Sequence, residues 1–209
     1  MHPLYVAFVW HMHQPYYRDL RTGEIPMPWV RLHAAKDYLH MAEMLTRYPA
    51  VHLTINMVPS LTEQMLTWVE DTADTQADDL WRLAEQETWS TADKRRIINL
   101  CFSINWDRVI RSHPRYAELL DRRPQALADP ETFTDQDIRD LVVWFNLVWI
   151  DPGWRSRDPE LERLVNQGRG FTLADVRTIH AAQRRIGAGV VPLYRRLAAA
   201  GQLELITSP

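Results

Sequence analysis

The chain has one cysteine, Cys101, and seven glycines in 209 residues. A single cysteine excludes an intramolecular disulfide framework. Its place among apolar residues at helical spacing makes it a buried, inert thiol rather than a nucleophile. The expected address is therefore a reducing compartment, the cytoplasm. Seven glycines are roughly half the average usage. That scarcity favours helix and leaves no glycine-rich loop to cradle a phosphate. Charge of one sign is lacking too: 24 Lys and Arg face 27 Asp and Glu, for a net −3. No basic field exists for nucleic acid, and Lys94-Arg95-Arg96, Arg122-Arg123 and Arg195-Arg196 read as solvated faces. No apolar run approaches the about 20 residues that span a bilayer, and Leu4 to Trp10 has no cationic leader or small-residue cleavage site. No membrane partner is expected. The CxxC, HExxH and GxSxG motifs are missing as well.

Tryptophan, by contrast, is in surplus, with nine residues. Most stand at helical spacing and read as core. Trp10 and the stretch Trp149 to Trp154 are the better candidates for binding. Apolar residues at 46% and charged residues at 24% describe an ordinary globular chain with enough length for one large domain.

The order of elements predicts an α/β fold. Leu4 to Trp10 is a β-rich run, expected to be a strand buried on both faces. Leu32, Ala35, Leu39 and Ala42 mark a helix from about Trp29 to Arg47, closed by Pro49. Val51 to Met57 forms a second strand, and Pro59 opens a helix through Leu61, Met65 and Val69. Strand, helix, strand, helix argues for a parallel sheet with right-handed crossovers. Residues 72–200 then carry helical patterns without a strand, and Glu70 to Asp79 reads as a mobile acidic loop. Ile97, Leu100, Cys101 and Ile104 fit one helix. Ile138, Val142, Phe145 and Trp149 fit another, capped by Thr134 and stopped at Asp151-Pro152-Gly153. A third runs from Thr172 towards Ala200, with a break expected at Gly187, Gly189 and Pro192. Gly201 is its C-cap, and Leu203 to Thr207 is the third strand.

Loops at the carboxyl ends of parallel strands hold working residues, because several converge on one cleft there. The three strand ends carry His11 with His13, then Asn56, then Ser208. In an extended chain His11 and His13 share a face. Their uses are hydrogen bonding to a polar ligand, acid–base work, or supplying two ligands of a metal. Gln14 adds an amide, and Tyr16 and Tyr17 add rings of the kind that stack on sugars. Asp107, Asp151 and Glu204 form no carboxylate pair at the strand ends and read as solvated or capping residues.

His11-Met12-His13-Gln14-Pro15-Tyr16 resembles the first signature of glycoside hydrolase family 57, the retaining α-glucan-active amylases, amylopullulanases, branching enzymes and glucanotransferases. Gly201 to Pro209 resembles the start of its second signature. Thr54 to Leu61 and Phe145 to Pro152 are similar to further segments, so the resemblance spans the chain. It implies a partial (β/α)7 barrel whose first three parallel strands lie here, interrupted by a mostly helical insertion at 72–200. Residues 1–209 would be the N-terminal part of a single catalytic domain acting on an α-glucan or maltooligosaccharide, without cofactor or metal. By resemblance His11 and His13 line the subsite at the scissile bond, with Gln14 supporting that wall; Trp10, beside the pair, is counted with them as substrate-binding from its position. Retention needs two carboxyl groups about 5 Å apart. In the family both belong to later signatures, beyond Pro209, so no catalytic residue is expected within this chain and the chain alone should be inactive. Two other readings follow from the residues: a metal-dependent hydrolase or deacetylase using His11 and His13, and a noncatalytic glucan-binding module.

Overall fold

A computed structural model describes residues 3–71 and 77–208. In chain order the elements are β1 (Val9–Met12), α1 (Trp29–His33), a π-helical turn (Ala34–Tyr38), α2 (Leu39–Arg47), β2 (Leu53–Met57) and α3 (Pro59–Glu70). Then follow α4 (Asp79–Ala84), α5 (Thr91–Leu100), α6 (Pro114–Ala128), α7 (Asp135–Val148), α8 (Pro152–Arg157), α9 (Pro159–Gln167), α10 (Leu173–Ala188), α11 (Val190–Ala199) and β3 (Leu203–Ile206). Described residues within Met1–Ala77 and Gln183–Pro209 form one compact unit, and those within Asp78–Ala182 form a second.

The first unit is built on a parallel sheet of order β1-β2-β3. Its register sets His11 opposite Asn56 and Ile55 opposite both Trp10 and Leu205. A monotonic order with right-handed crossovers carries the connecting helices of this unit to one face. The burial pattern agrees: Met12, Leu53, Ile55 and Leu203 are buried, whereas Val9, His11, Glu204 and Ile206 on the alternate face are exposed. The buried Tyr194 hydroxyl of α11 lies 3.2 Å from the Met12 sulfur and donates to the Tyr38 carbonyl at 2.9 Å, tying β1 to both helical layers above it. Burial pushes that phenol well above its usual range.

Strand one is shorter and later than its composition predicts. Leu4 and Tyr5 are 88% and 87% exposed without regular structure, and pairing begins where the Phe8 carbonyl accepts from Thr54 N–H. The reason is the partner: β2 starts at Leu53, so residues 4–7 have no ladder to join, whatever their β-propensity. Nor is β1 covered on both faces: Val9, Trp10 and His11 are exposed, and only Met12 is buried.

Leu32, Ala35, Leu39 and Ala42 are buried along α1, the π turn and α2. In α3, with Pro59 at its first turn, Leu61, Met65 and Trp68 form the buried seam, while Val69 is half-buried. Gly201, at φ +72°, ends the turn after α11 in the left-handed region that glycine tolerates, and the chain enters β3 two residues later.

The second unit is entirely helical among its described residues. Thr134 caps α7 in a reciprocal box with Asp137, and Ile138, Val142, Phe145 and Trp149 are buried along it. α5 ends at Leu100, so Cys101 is buried at its C-cap while Ile104 lies past the helix and breaks the expected run. In the first unit, the break expected at Gly187, Gly189 and Pro192 falls at Gly189, between α10 and α11, with Gly187 and Pro192 inside those helices. Residues 72–76 of the acidic Glu70–Asp79 segment lie outside the described residues, as does Pro209. Among the described residues, no helix is long and apolar enough to cross a membrane.

Candidate functional site

The carboxyl ends of the three strands bring together the residues that the sequence had placed in separate segments. Parallel register points His11, Asn56 and Ile206 to the face without helices. The Asn56 amide nitrogen lies 3.1 Å from His11 Nδ1 and 3.0 Å from Ser208 Oγ, so the middle strand bridges both neighbours. His13, just past β1, stacks on His11 with ring centroids 5.5 Å apart and planes within 8°. Both imidazoles are exposed, forming an accessible polar wall at the strand ends.

Behind this wall Gln14 is held at both ends. Its amide nitrogen donates to the Tyr38 hydroxyl at 3.1 Å, and its amide oxygen accepts from the Tyr17 hydroxyl at 2.8 Å. Burial, partly offset by the bond from Gln14, pushes the Tyr38 phenol up to about 12, so it stays neutral across the physiological range. The loop is pinned from α3. Ser60 donates to the Gln14 carbonyl at 2.9 Å, and Gln64 donates to the Pro15 carbonyl at 2.9 Å while accepting from Tyr17 N–H at 2.8 Å. Tyr16 donates outward to Glu63. Gln14 thus supports the histidine wall, and its polar groups are already engaged.

Several candidates fall elsewhere. Trp10 is in register with Ile55, so it alternates to the helix-covered face, away from the histidine rings, although 39% of it remains exposed. Trp149 is 8% exposed and packs edge-on against Phe145; it is core, because its helical spacing puts it on the buried seam of α7. Trp154 is half-buried with the Arg157 guanidinium over its ring. Asp151 caps α8 through Gly153 N–H at 2.8 Å, Glu204 accepts from the Thr54 hydroxyl at 2.7 Å, and Asp107 is exposed.

The histidine pair is poorly arranged to chelate. An imidazole lone pair lies in its ring plane, and two parallel stacked planes offer no common point at the about 2.0–2.1 Å that a zinc–nitrogen bond requires. Among the described residues, no group of three or more His, Cys, Asp or Glu side chains converges to hold a metal ion. The wall's two imidazoles, amide and hydroxyl are hydrogen-bonding groups, with the Asn56 amide nitrogen engaged by its neighbours and the imidazoles exposed.

Sequence reasoning singled out neither Tyr38 nor Gln64. Ser60 and Gln64 are four residues apart on one helical face directly after a strand end, a pairing that could have flagged them.

Compared with known families, residues 7–209 match the model of glycosyl hydrolase family 57. No curated protein and no solved structure matches the chain.

Proposed function

The chain belongs to glycosyl hydrolase family 57, and from that premise we propose that it is the substrate-binding N-terminal portion of a retaining enzyme that hydrolyses or transfers α-glucans. The family makes the substrate a carbohydrate. The observation that carries the finer reading is the wall of His11, His13, Asn56 and Ser208 at the carboxyl ends of adjacent parallel strands. Pyranose hydroxyls are dense donors and acceptors, and such a wall can bond several at once. Gln14 holds the wall's loop in place, and Trp10 has no part in the contacts proposed.

The barrel is part of this proposal. A monotonic strand order with the helices of the sheet's own unit on one face is how a singly wound barrel begins, whereas an open doubly wound sheet reverses its order and covers both faces. The polar face with His11 and Asn56 would then line the barrel's interior mouth, and residues 72–200 would interrupt the crossover from β2 to β3. A cytoplasmic address belongs to the same reading, supported by the single, buried thiol of Cys101.

Double displacement requires one carboxylate to attack the anomeric carbon and a second carboxyl group to protonate the leaving oxygen. The wall offers imidazole, amide and hydroxyl instead. By resemblance to the family, whose carboxylates belong to later signatures, they are placed outside these 209 residues, and His11 and His13 hold the sugar at the scissile bond.

Calorimetry with maltooligosaccharides, together with amylose turnover by residues 1–209 and by a longer chain carrying the downstream sequence, tests this. Binding by both and turnover only by the longer chain is expected. Robust turnover by residues 1–209 overturns the assignment of the carboxylates; absence of glucan binding by either chain overturns the substrate.

A further inference from the structure

We infer that Asn56 is a positioning residue that sets the tautomer of His11, so that the exposed edge of the ring presents Nε2–H, a fixed hydrogen-bond donor. The two residues are direct register partners on β1 and β2, and in a parallel pair they face the same side. The Asn56 amide nitrogen lies 3.1 Å from His11 Nδ1. An amide nitrogen only donates, so Nδ1 must accept, and a neutral imidazole with a bare Nδ1 carries its hydrogen on Nε2. The same nitrogen lies 3.0 Å from Ser208 Oγ, which can accept its second hydrogen, and the Ser208 hydroxyl also lies 3.5 Å from Asn56 Oδ1. One side chain on the central strand thereby orders a group on each neighbour. His13 stacks against His11 with ring centroids 5.5 Å apart, and both residues are exposed.

The chemical consequence concerns which ligand atoms the ring can meet. Hydroxyl groups both donate and accept, but the ring and bridging oxygens of a glycoside carry no hydrogen and only accept. A fixed donor can bond either kind; a bare nitrogen at the same place could bond hydroxyls alone. Asn56 thus makes His11 compatible with acceptor-only oxygens without touching the sugar itself. The ligand half of this inference rests on the carbohydrate reading above, whereas the tautomer does not.

Long-range proton–nitrogen correlation spectra of the uniformly ¹⁵N-labelled 209-residue chain, at a pH where imidazoles are neutral, read the tautomer directly. The His11 signals are identified by their loss in His11→Gln. In the wild type, Nε2 should show the protonated, pyrrole-like shift and Nδ1 the bare, pyridine-like shift. In Asn56→Asp, a carboxylate faces Nδ1, can only accept, and should move the hydrogen to Nδ1, reversing the two shifts. Maltooligosaccharide affinity should fall about tenfold in Asn56→Asp, the scale of one lost hydrogen bond to a ligand. A wild-type His11 protonated on Nδ1, or an unreversed pattern in a folded Asn56→Asp, overturns the inference. The wild-type spectrum decides alone if that variant does not fold. The expected shifts with no glucan binding by any variant would uphold the tautomer and count against the carbohydrate reading.

Discussion

His11 and His13 stack in parallel, 5.5 Å between centroids, although one lies on β1 and the other just beyond it. Two-residue spacing in extended backbone puts both on one face, and the stack makes them a single wall. Replacing His13 by Ala should therefore do more than remove one contact, because it also frees the His11 ring. Maltooligosaccharide affinity is expected to fall about tenfold or more with little change in melting temperature, since both rings are exposed. Calorimetry and thermal denaturation of the same preparation separate the two effects; an unchanged affinity would remove His13 from the wall.

The support behind the wall should show the opposite signature. Tyr38→Phe leaves the Gln14 amide nitrogen without its acceptor at 3.1 Å, in a half-buried place. A loss of about 1 kcal/mol in stability is expected, accompanied by a several-fold weaker sugar affinity as the loop loosens. Gln64→Leu, which removes both the bond to the Pro15 carbonyl and the one from Tyr17 N–H, should weaken affinity at least as much. Denaturant titration beside calorimetry checks both variants.

Gly187→Ala sets two effects of opposite sign against each other. Alanine should favour α10 by about 1 kcal/mol through helix propensity. Yet a Cβ at Gly187 would stand 2.5 Å from Trp68 Cζ3 and 3.1 Å from Cη2, in a buried ring that cannot swing aside cheaply. Overpacking of this kind costs typically 1–3 kcal/mol, and at 2.5 Å the upper part of that range applies. Net destabilisation of about 1–2 kcal/mol is expected, read as a lower denaturation midpoint.

The second unit carries an acid-sensitive network. Arg115 donates to Asp137 at 2.6 Å and to Asp140 at 2.8 Å, with all three side chains buried. Burial alone would raise the Asp137 pKa, but hydrogen bonds from Arg122, Thr134 N–H and Arg115 outweigh it and hold the carboxyl well below its usual range. Because the folded-state value is depressed, Asp137 stabilises the fold fully above the unfolded value of about 3.9. That contribution is lost as pH falls through this value towards the folded one. Asp137→Asn should cost about 2 kcal/mol at neutral pH, with the gap to wild type narrowing on acidification below about pH 4. Arg115→Met, which strips the guanidinium from two buried carboxylates, should cost about 3–5 kcal/mol. Urea titrations at neutral and acidic pH provide the comparison.

Much of this was written locally. Pro59 at a first helical turn, Thr134 with Asp137 three residues on, and Gly201 after α11 mark element ends through backbone chemistry, which depends on neighbours in sequence and needs no tertiary partner. The strand–helix order announced a parallel sheet, and the histidine pair at a strand end announced where to look. What depended on distant partners could not be read this way. β1 starts at Val9 rather than Leu4 because β2 offers no partner before Leu53. Trp10 turns from the histidines because register with Ile55 sets its face.

By itself the lone cysteine excluded an intramolecular disulfide and the scarce glycines favoured helix, since those limits act on covalent chemistry and on the backbone, whatever the fold. Only the tertiary structure decided that Asn56 stands between His11 and Ser208, residues 45 and 152 positions away in the chain. Hydrogen-bond partners across a sheet are chosen by register, and register is settled by the packing of the whole buried face.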